Sequence, residues 1–133
     1  MEDSVKELAK YRFETSQEDL FDAKLMLENG RYKNALNRGY YSVFHAIKSV
    51  CALDGFDSSK HGGVIAHFNQ NYVKTGIFSK ELSKDIKLSY EKREKADYYD
   101  FYIASREEAE KQVERAEKFT NSIRVYLISQ NVL

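Results

Sequence analysis

Apolar residues recur along this chain at three- and four-residue steps, and nothing alternates convincingly with period two. The first such segment, about Ser4 to Asn29, carries Leu8, Tyr11, Leu20, Ala23 and Leu27, and Asn29-Gly30 supplies a helix stop. The second, Tyr32 to Leu53, is the most apolar: Ala35, Leu36, Tyr40, Tyr41, Val43, Phe44, Ala46, Ile47, Val50 and Cys51 wrap most of its circumference. A helix apolar on nearly every side belongs at the centre of a domain, with Gly39 as its one interruption. Asp54-Gly55 ends it, and Asp57-Ser58-Ser59 predicts the start of a third helix running through Val64, Ile65, Phe68 and Tyr72. After Thr75-Gly76, a fourth runs from about Ser79 to near Tyr98, with Leu82, Ile86 and Tyr90 on one face. Asp97 to Tyr102 reads as an aromatic connector. Ser105-Arg106-Glu107-Glu108 has the form of a capping box and opens a last helix with a stripe of Ala109, Val113, Ala116, Phe119, Ile123 and Tyr126. The pattern predicts an all-α, antiparallel up-and-down bundle of four to five helices.

Composition changes this picture in three ways. A chain of 133 residues has room for one core, so residues 1–133 are expected to form a single domain. Twenty-one basic residues balance twenty-one acidic ones, which argues against a protein that coats nucleic acid by bulk charge and leaves a local basic patch as the route to phosphate. One cysteine, Cys51, cannot form an internal disulfide and fits a reducing compartment. The opening Met-Glu-Asp-Ser lacks a signal peptide's basic and apolar regions, and no stretch reaches the roughly 18 apolar residues of a membrane span. The expectation is a cytoplasmic protein with no membrane partner.

Few residues offer chemistry. His45, His61 and His67 are the only histidines, and neither Glu-x-x-His nor paired-cysteine spacing surrounds them, so no metal site and no cofactor is expected. There is no phosphate-binding loop, dinucleotide fingerprint or nucleophile elbow, and His61-Gly62-Gly63 reads as a helix start with permissive glycines. Arg38 and His45 are seven apart, which on a helix leaves them about 20° from the same face, with Tyr41 between them. A guanidinium, a phenol and an imidazole thus line one strip of the most buried helix. An Arg there needs a carboxylate partner, a phosphate or an opening to solvent. Arg93 and Asp97 form an i,i+4 pair beside the aromatic connector, where tyrosines next to arginines offer stacking surfaces and donors for a nucleotide.

Taken together, Ala35-x-x-Arg38-x-Tyr40-Tyr41-x-x-Phe44-His45-Ala46, then Lys60-His61, then Arg93-x-x-Ala96-Asp97-Tyr98 resemble the small stand-alone HEPN (higher eukaryotes and prokaryotes nucleotide-binding) proteins. The resemblance runs from about Phe13 to Leu127. It implies a helical bundle, usually homodimeric, within a toxin–antitoxin-like module whose partner is a minimal nucleotidyltransferase. That partner is expected to modify one of the connector tyrosines, Tyr98, Tyr99 or Tyr102. It also implies nucleotide or RNA binding in a cleft lined by Tyr41, His61, Asp97 and Tyr98, with Arg38, His45 and Arg93 as candidate catalytic residues. Many HEPN domains are metal-independent endoribonucleases with an Arg, four to six residues, then His; in them His moves the proton and Arg stabilises phosphoryl charge. Five residues after Arg93 stands Tyr98, not His, and a phenol with a pKa near 10 is a poor general base at neutral pH. Arg38 and His45 satisfy the spacing on an earlier helix. Two alternatives therefore stand beside a binding module: an active ribonuclease toxin using that earlier strip, and a non-catalytic dimeric scaffold.

Overall fold

A computed structural model describes residues 2–133 and shows five helices among them, with no strand. They are α1 (Asp3–Glu28), α2 (Tyr32–Ala52), α3 (His61–Phe68), α4 (Lys80–Tyr98) and α5 (Arg106–Ser129). Among the described residues no helix is long and apolar enough to cross a membrane. As its all-round apolar sequence predicts, α2 is central and packs against each of the other four. Its Tyr40, Val43, Ile47 and Val50 are fully buried in one cluster with Phe13, Phe68, Phe119, Ile123 and Leu127, and its Leu36 in a second with Ala96 and Ala104. Each large side chain so buried contributes about 1.5–3 kcal/mol before conformational entropy is subtracted.

The turn at Gly30, which adopts φ 71°, reverses the chain so that α1 and α2 run antiparallel along one long seam. Ser16 and Ser42 let the two helices approach closely. Ser16 Oγ donates to the Ser42 carbonyl at 2.6 Å, and Ser42 Oγ returns a bond to the Ser16 carbonyl at 2.9 Å. One turn earlier on α2, a Cβ on Gly39 would lie 2.8 Å from Gln112 Cγ. Gly39 therefore does not interrupt its helix but serves a close approach to α5. The buried Gln112 amide donates to the carbonyls of Leu36 and Ser89, joining α2, α4 and α5.

Four local expectations change. On α1 the core face is Ala9, Phe13, Ser16, Leu20 and Ala23, whereas Leu8 and Tyr11 are exposed, because the serine-mediated approach of α2 selects the neighbouring stripe. The third helix begins at His61 rather than near Asp57: Asp57 and Ser58 accept from the backbone N–H groups of Ser58 and Lys60 in a turn that delays it. Past Phe68 it widens into a π-helical turn, Asn69–Val73, before Thr75-Gly76. Helix α4 includes Tyr98, so the connector is Tyr99 to Ala104. The Ser105–Glu108 capping box forms as expected.

Candidate functional site

Where α1 crosses α2, the carboxylate of Asp19 lies between the two ends of the Arg38–His45 strip. Its Oδ1 accepts from Arg38 Nη1 at 3.1 Å and its Oδ2 meets His45 Nδ1 at 2.6 Å. Asp19 is the most sheltered of the three, its side chain 9% exposed against 35% for Arg38 and 28% for His45. The charge–charge pairing removes the penalty of an unpaired guanidinium inside the bundle. A carboxylate on Nδ1 also directs the imidazole, placing its proton there and leaving Nε2 as the basic atom. Nε2 has no hydrogen-bond partner among the described residues.

Tyr41, one turn along α2 from both ends of the strip, is the hub of the site. The Arg38 guanidinium sits 4.9 Å from its ring centroid and that of Arg93, delivered by α4, lies 5.3 Å away. Arg93 Nη2 donates to the Tyr41 hydroxyl at 3.0 Å and, more weakly, to Tyr98 at 3.4 Å. Its Nε donates to Asp97 at 2.8 Å and its Nη1 to Glu94 at 3.4 Å. Arg93 thus spends its donors inside the protein and fixes Tyr41 and Tyr98. Asn37 closes the circuit: it accepts from Arg38 Nε at 3.0 Å and donates to Asp97 at 2.8 Å. One continuous network therefore joins α1, α2 and α4.

His61, at the start of α3, enters from another side. Its ring stacks on Phe44 with centroids 4.0 Å apart, and its Nδ1 shares a 3.0 Å hydrogen bond with the Tyr40 hydroxyl. Burial, followed by the nearby charges of Arg93, His45 and Lys48, holds its pKa below the ordinary imidazole value. At neutral pH His61 is an uncharged stacking and hydrogen-bonding surface, not a third cation.

All seven residues singled out from sequence, Arg38, Tyr41, His45, His61, Arg93, Asp97 and Tyr98, fall on this one region. Sequence reasoning missed Asp19 and Asn37. The sequence left Arg38 a carboxylate, a phosphate or solvent as its relief; that a carboxylate answers, and which of twenty-one acidic residues it is, was not legible. Among the described residues no three His, Cys, Asp or Glu side chains gather as a metal ion requires.

Comparison with known proteins agrees with this architecture. The HEPN domain family model matches residues 9–126, and this chain belongs to the HEPN family. It is 36% identical over 116 residues to a UPF0332 protein of Thermotoga maritima, covering 87% of this chain and 88% of that protein. It is 33% identical over 120 residues to a Methanocaldococcus jannaschii protein named "Putative toxin MJ0605", covering 90% and 89% of the two chains. Its fold resembles the crystal structure of TT1696 from Thermus thermophilus, with a TM-score of 0.72 and 19% identity, over 87% of this chain and 95% of that one.

Proposed function

We propose that this toxin-like HEPN protein takes a nucleotide or RNA phosphate into the cleft between α1, α2 and α4. The observation that carries the reading is the pair of guanidiniums, Arg38 and Arg93, brought from separate helices to 4.9 Å and 5.3 Å from the Tyr41 ring. Arg38 is the phosphate ligand, because its outer edge reaches solvent while Asp19 and Asn37 fix its inner one. Arg93 is a positioning residue for Tyr41 and Tyr98, and His61 with Phe44 offers an uncharged aromatic wall. From the family resemblance come a homodimer and a minimal nucleotidyltransferase partner. Of the three candidate tyrosines, Tyr98 at the end of α4 and Tyr99 in the connector are exposed, while the Tyr102 hydroxyl is held by Glu108.

The Asp19–His45 pair favours a second reading, metal-independent RNA cleavage. His45 Nε2 would remove the proton of a ribose 2′-hydroxyl. The 2′-oxygen then forms a bond to the adjacent phosphorus, the P–O5′ bond breaks, and the leaving 5′-oxygen takes a proton from water. The products are a 2′,3′-cyclic phosphate and a 5′-hydroxyl. Asp19 stabilises the imidazolium, and Arg38 the charge gathering on the phosphoryl oxygens.

Incubation of purified protein with mixed RNA in EDTA, beside calorimetric titration with nucleotides, separates the readings. Cleavage to cyclic-phosphate ends, lost in His45→Ala, establishes the ribonuclease. Intact RNA with measurable nucleotide or RNA affinity, weakened in Arg38→Ala, leaves the binding module. A well-folded protein that neither binds nor cleaves removes both and leaves the dimeric scaffold.

A further inference from the structure

The strip does not end at Arg38. Along α1, Asp19, Asp22 and Met26 follow one another at three- and four-residue steps, and along α2 so do Asn34, Arg38, Tyr41 and His45. The two rows border one antiparallel seam. Next to Arg38 they enclose a pocket of about 390 Å³ lined by Asp22, Met26, Asn34, Asn37 and Arg38. That size falls in the range of roughly 300–1,000 Å³ typical of small-molecule sites. Asp22 and Asn34 are exposed, and neither makes a side-chain hydrogen bond or ion pair within the described residues. Their polar atoms are therefore free for a ligand. Asn37 is not: both ends of its amide are held by Arg38 and Asp97, so it is a fixed wall.

The charges order the ligand. A phosphate placed against Asp22 would meet a like charge, so the phosphate belongs on the His45 side of Arg38 and the base on the Asp22 side. A carboxylate is an acceptor with two oxygens, and Asn34 supplies both donors and an acceptor. The complementary edge has two adjacent N–H donors beside an acceptor. Among the common bases that is guanine: N1–H and the N2 amino group face Asp22, while O6 accepts from the Asn34 amide. Adenine and cytosine each offer one amino group next to a ring acceptor. Uracil flanks its single N–H with two carbonyls, which a carboxylate repels. Met26 supplies an apolar, deformable surface for the base plane.

We propose that the pocket beside Arg38 is a guanine-recognition subsite, in which Asp22 reads the donor edge of the base whose phosphate lies in the cleft. This rests on the cleft binding nucleotide or RNA. The same chemistry is presented by a free guanine nucleotide and by a guanosine within RNA.

Calorimetric titration of the whole protein with GMP, AMP, CMP and UMP, and with the 2′-O-methyl tetranucleotides UUGU and UUAU, tests it without interference from cleavage. A carboxylate reading two donors gives guanine an advantage of about tenfold over adenine. In Asp22→Asn, which replaces one acceptor oxygen with a donor, affinity for the guanine ligand falls to that for adenine. Arg38→Ala instead weakens all ligands together. A guanine preference in GMP and UUGU alike assigns the free nucleotide as sufficient, and a preference confined to UUGU assigns RNA; both support the subsite. Binding without base preference, or a preference unchanged in Asp22→Asn, overturns the subsite and leaves the cleft. Absence of any binding by folded protein overturns both.

Discussion

Among the described residues two histidines meet an aspartate, one pair within the α1–α2 seam and the other just past the C-terminal end of α2, and they differ in what surrounds them. His45 meets Asp19 at 2.6 Å and His67 meets Asp54 at 2.8 Å. Around His67, however, every polar atom is already used. Its other ring nitrogen, Nδ1, faces the Asn71 amide at 3.2 Å, and its ring stacks on Phe56 at 3.9 Å, nearly parallel. Asp54 also accepts the Tyr72 hydroxyl at 2.8 Å. That pair ties the end of α2 to α3, and through the Tyr72 hydroxyl to the π-helical turn that follows it. Around His45 the second ring nitrogen is unbonded, and Asp19 is shared with a guanidinium rather than with a phenol. A histidine–aspartate contact is therefore no sign of function by itself. What sets the Asp19 pair apart is an unbonded ring nitrogen beside a guanidinium, the feature on which the proposed function rests.

The comparison breaks most sharply at the carboxylates. Asp19→Ala leaves His45 without its hydrogen-bond partner and Arg38 with Asn37 alone, so cleavage or nucleotide binding under the proposed function should be lost. Stability in urea should fall by about 2 kcal/mol, less than the roughly 3–5 kcal/mol for a fully buried pair because Arg38 reaches solvent. Asp54→Ala should lower stability by about 1–2 kcal/mol, chiefly through the Tyr72 hydroxyl, and leave cleft function intact. Equal functional losses in the two variants would erase the distinction. At the histidines, His67→Gln should shift the urea midpoint by more than His45→Gln, while only His45→Gln should affect cleavage or binding.

The smallest effect concerns pH. His61 has a folded-state pKa below its unfolded value, so in the window beneath about pH 6.5 the unfolded chain binds the extra proton. Stability should decline as pH falls through that window, and His61→Gln should flatten part of the decline in thermal melts between pH 8 and pH 5. An identical slope in wild type and variant would contradict the assignment.

Helix placement was legible because its signals are local. Gly30 after Asn29 and the Ser105–Glu108 box act within a few residues, and the all-round apolar character of α2 requires a central position whatever its neighbours are. The strip Arg38, Tyr41, His45 was legible for the same reason, since seven residues on one helix fix a face. The exposed Leu8 and Tyr11 show the limit: two stripes of α1 are similarly apolar, and only the close Ser16–Ser42 crossing decides which turns inward.

Asp19 marks the division more clearly. Its charge gives it no local reason to be sheltered, and it stands 19 residues from Arg38 and 26 from His45 along the chain. Its partnership exists because two antiparallel helices meet in one register. Arg93 likewise joins Tyr41 across 52 residues. The sequence by itself determined the helices, the central element and one face of the site, because those depend on spacing within a helix. The tertiary structure decided which carboxylate directs His45, which arginine keeps a free edge and which one reaches Tyr41, because those depend on how the helices cross.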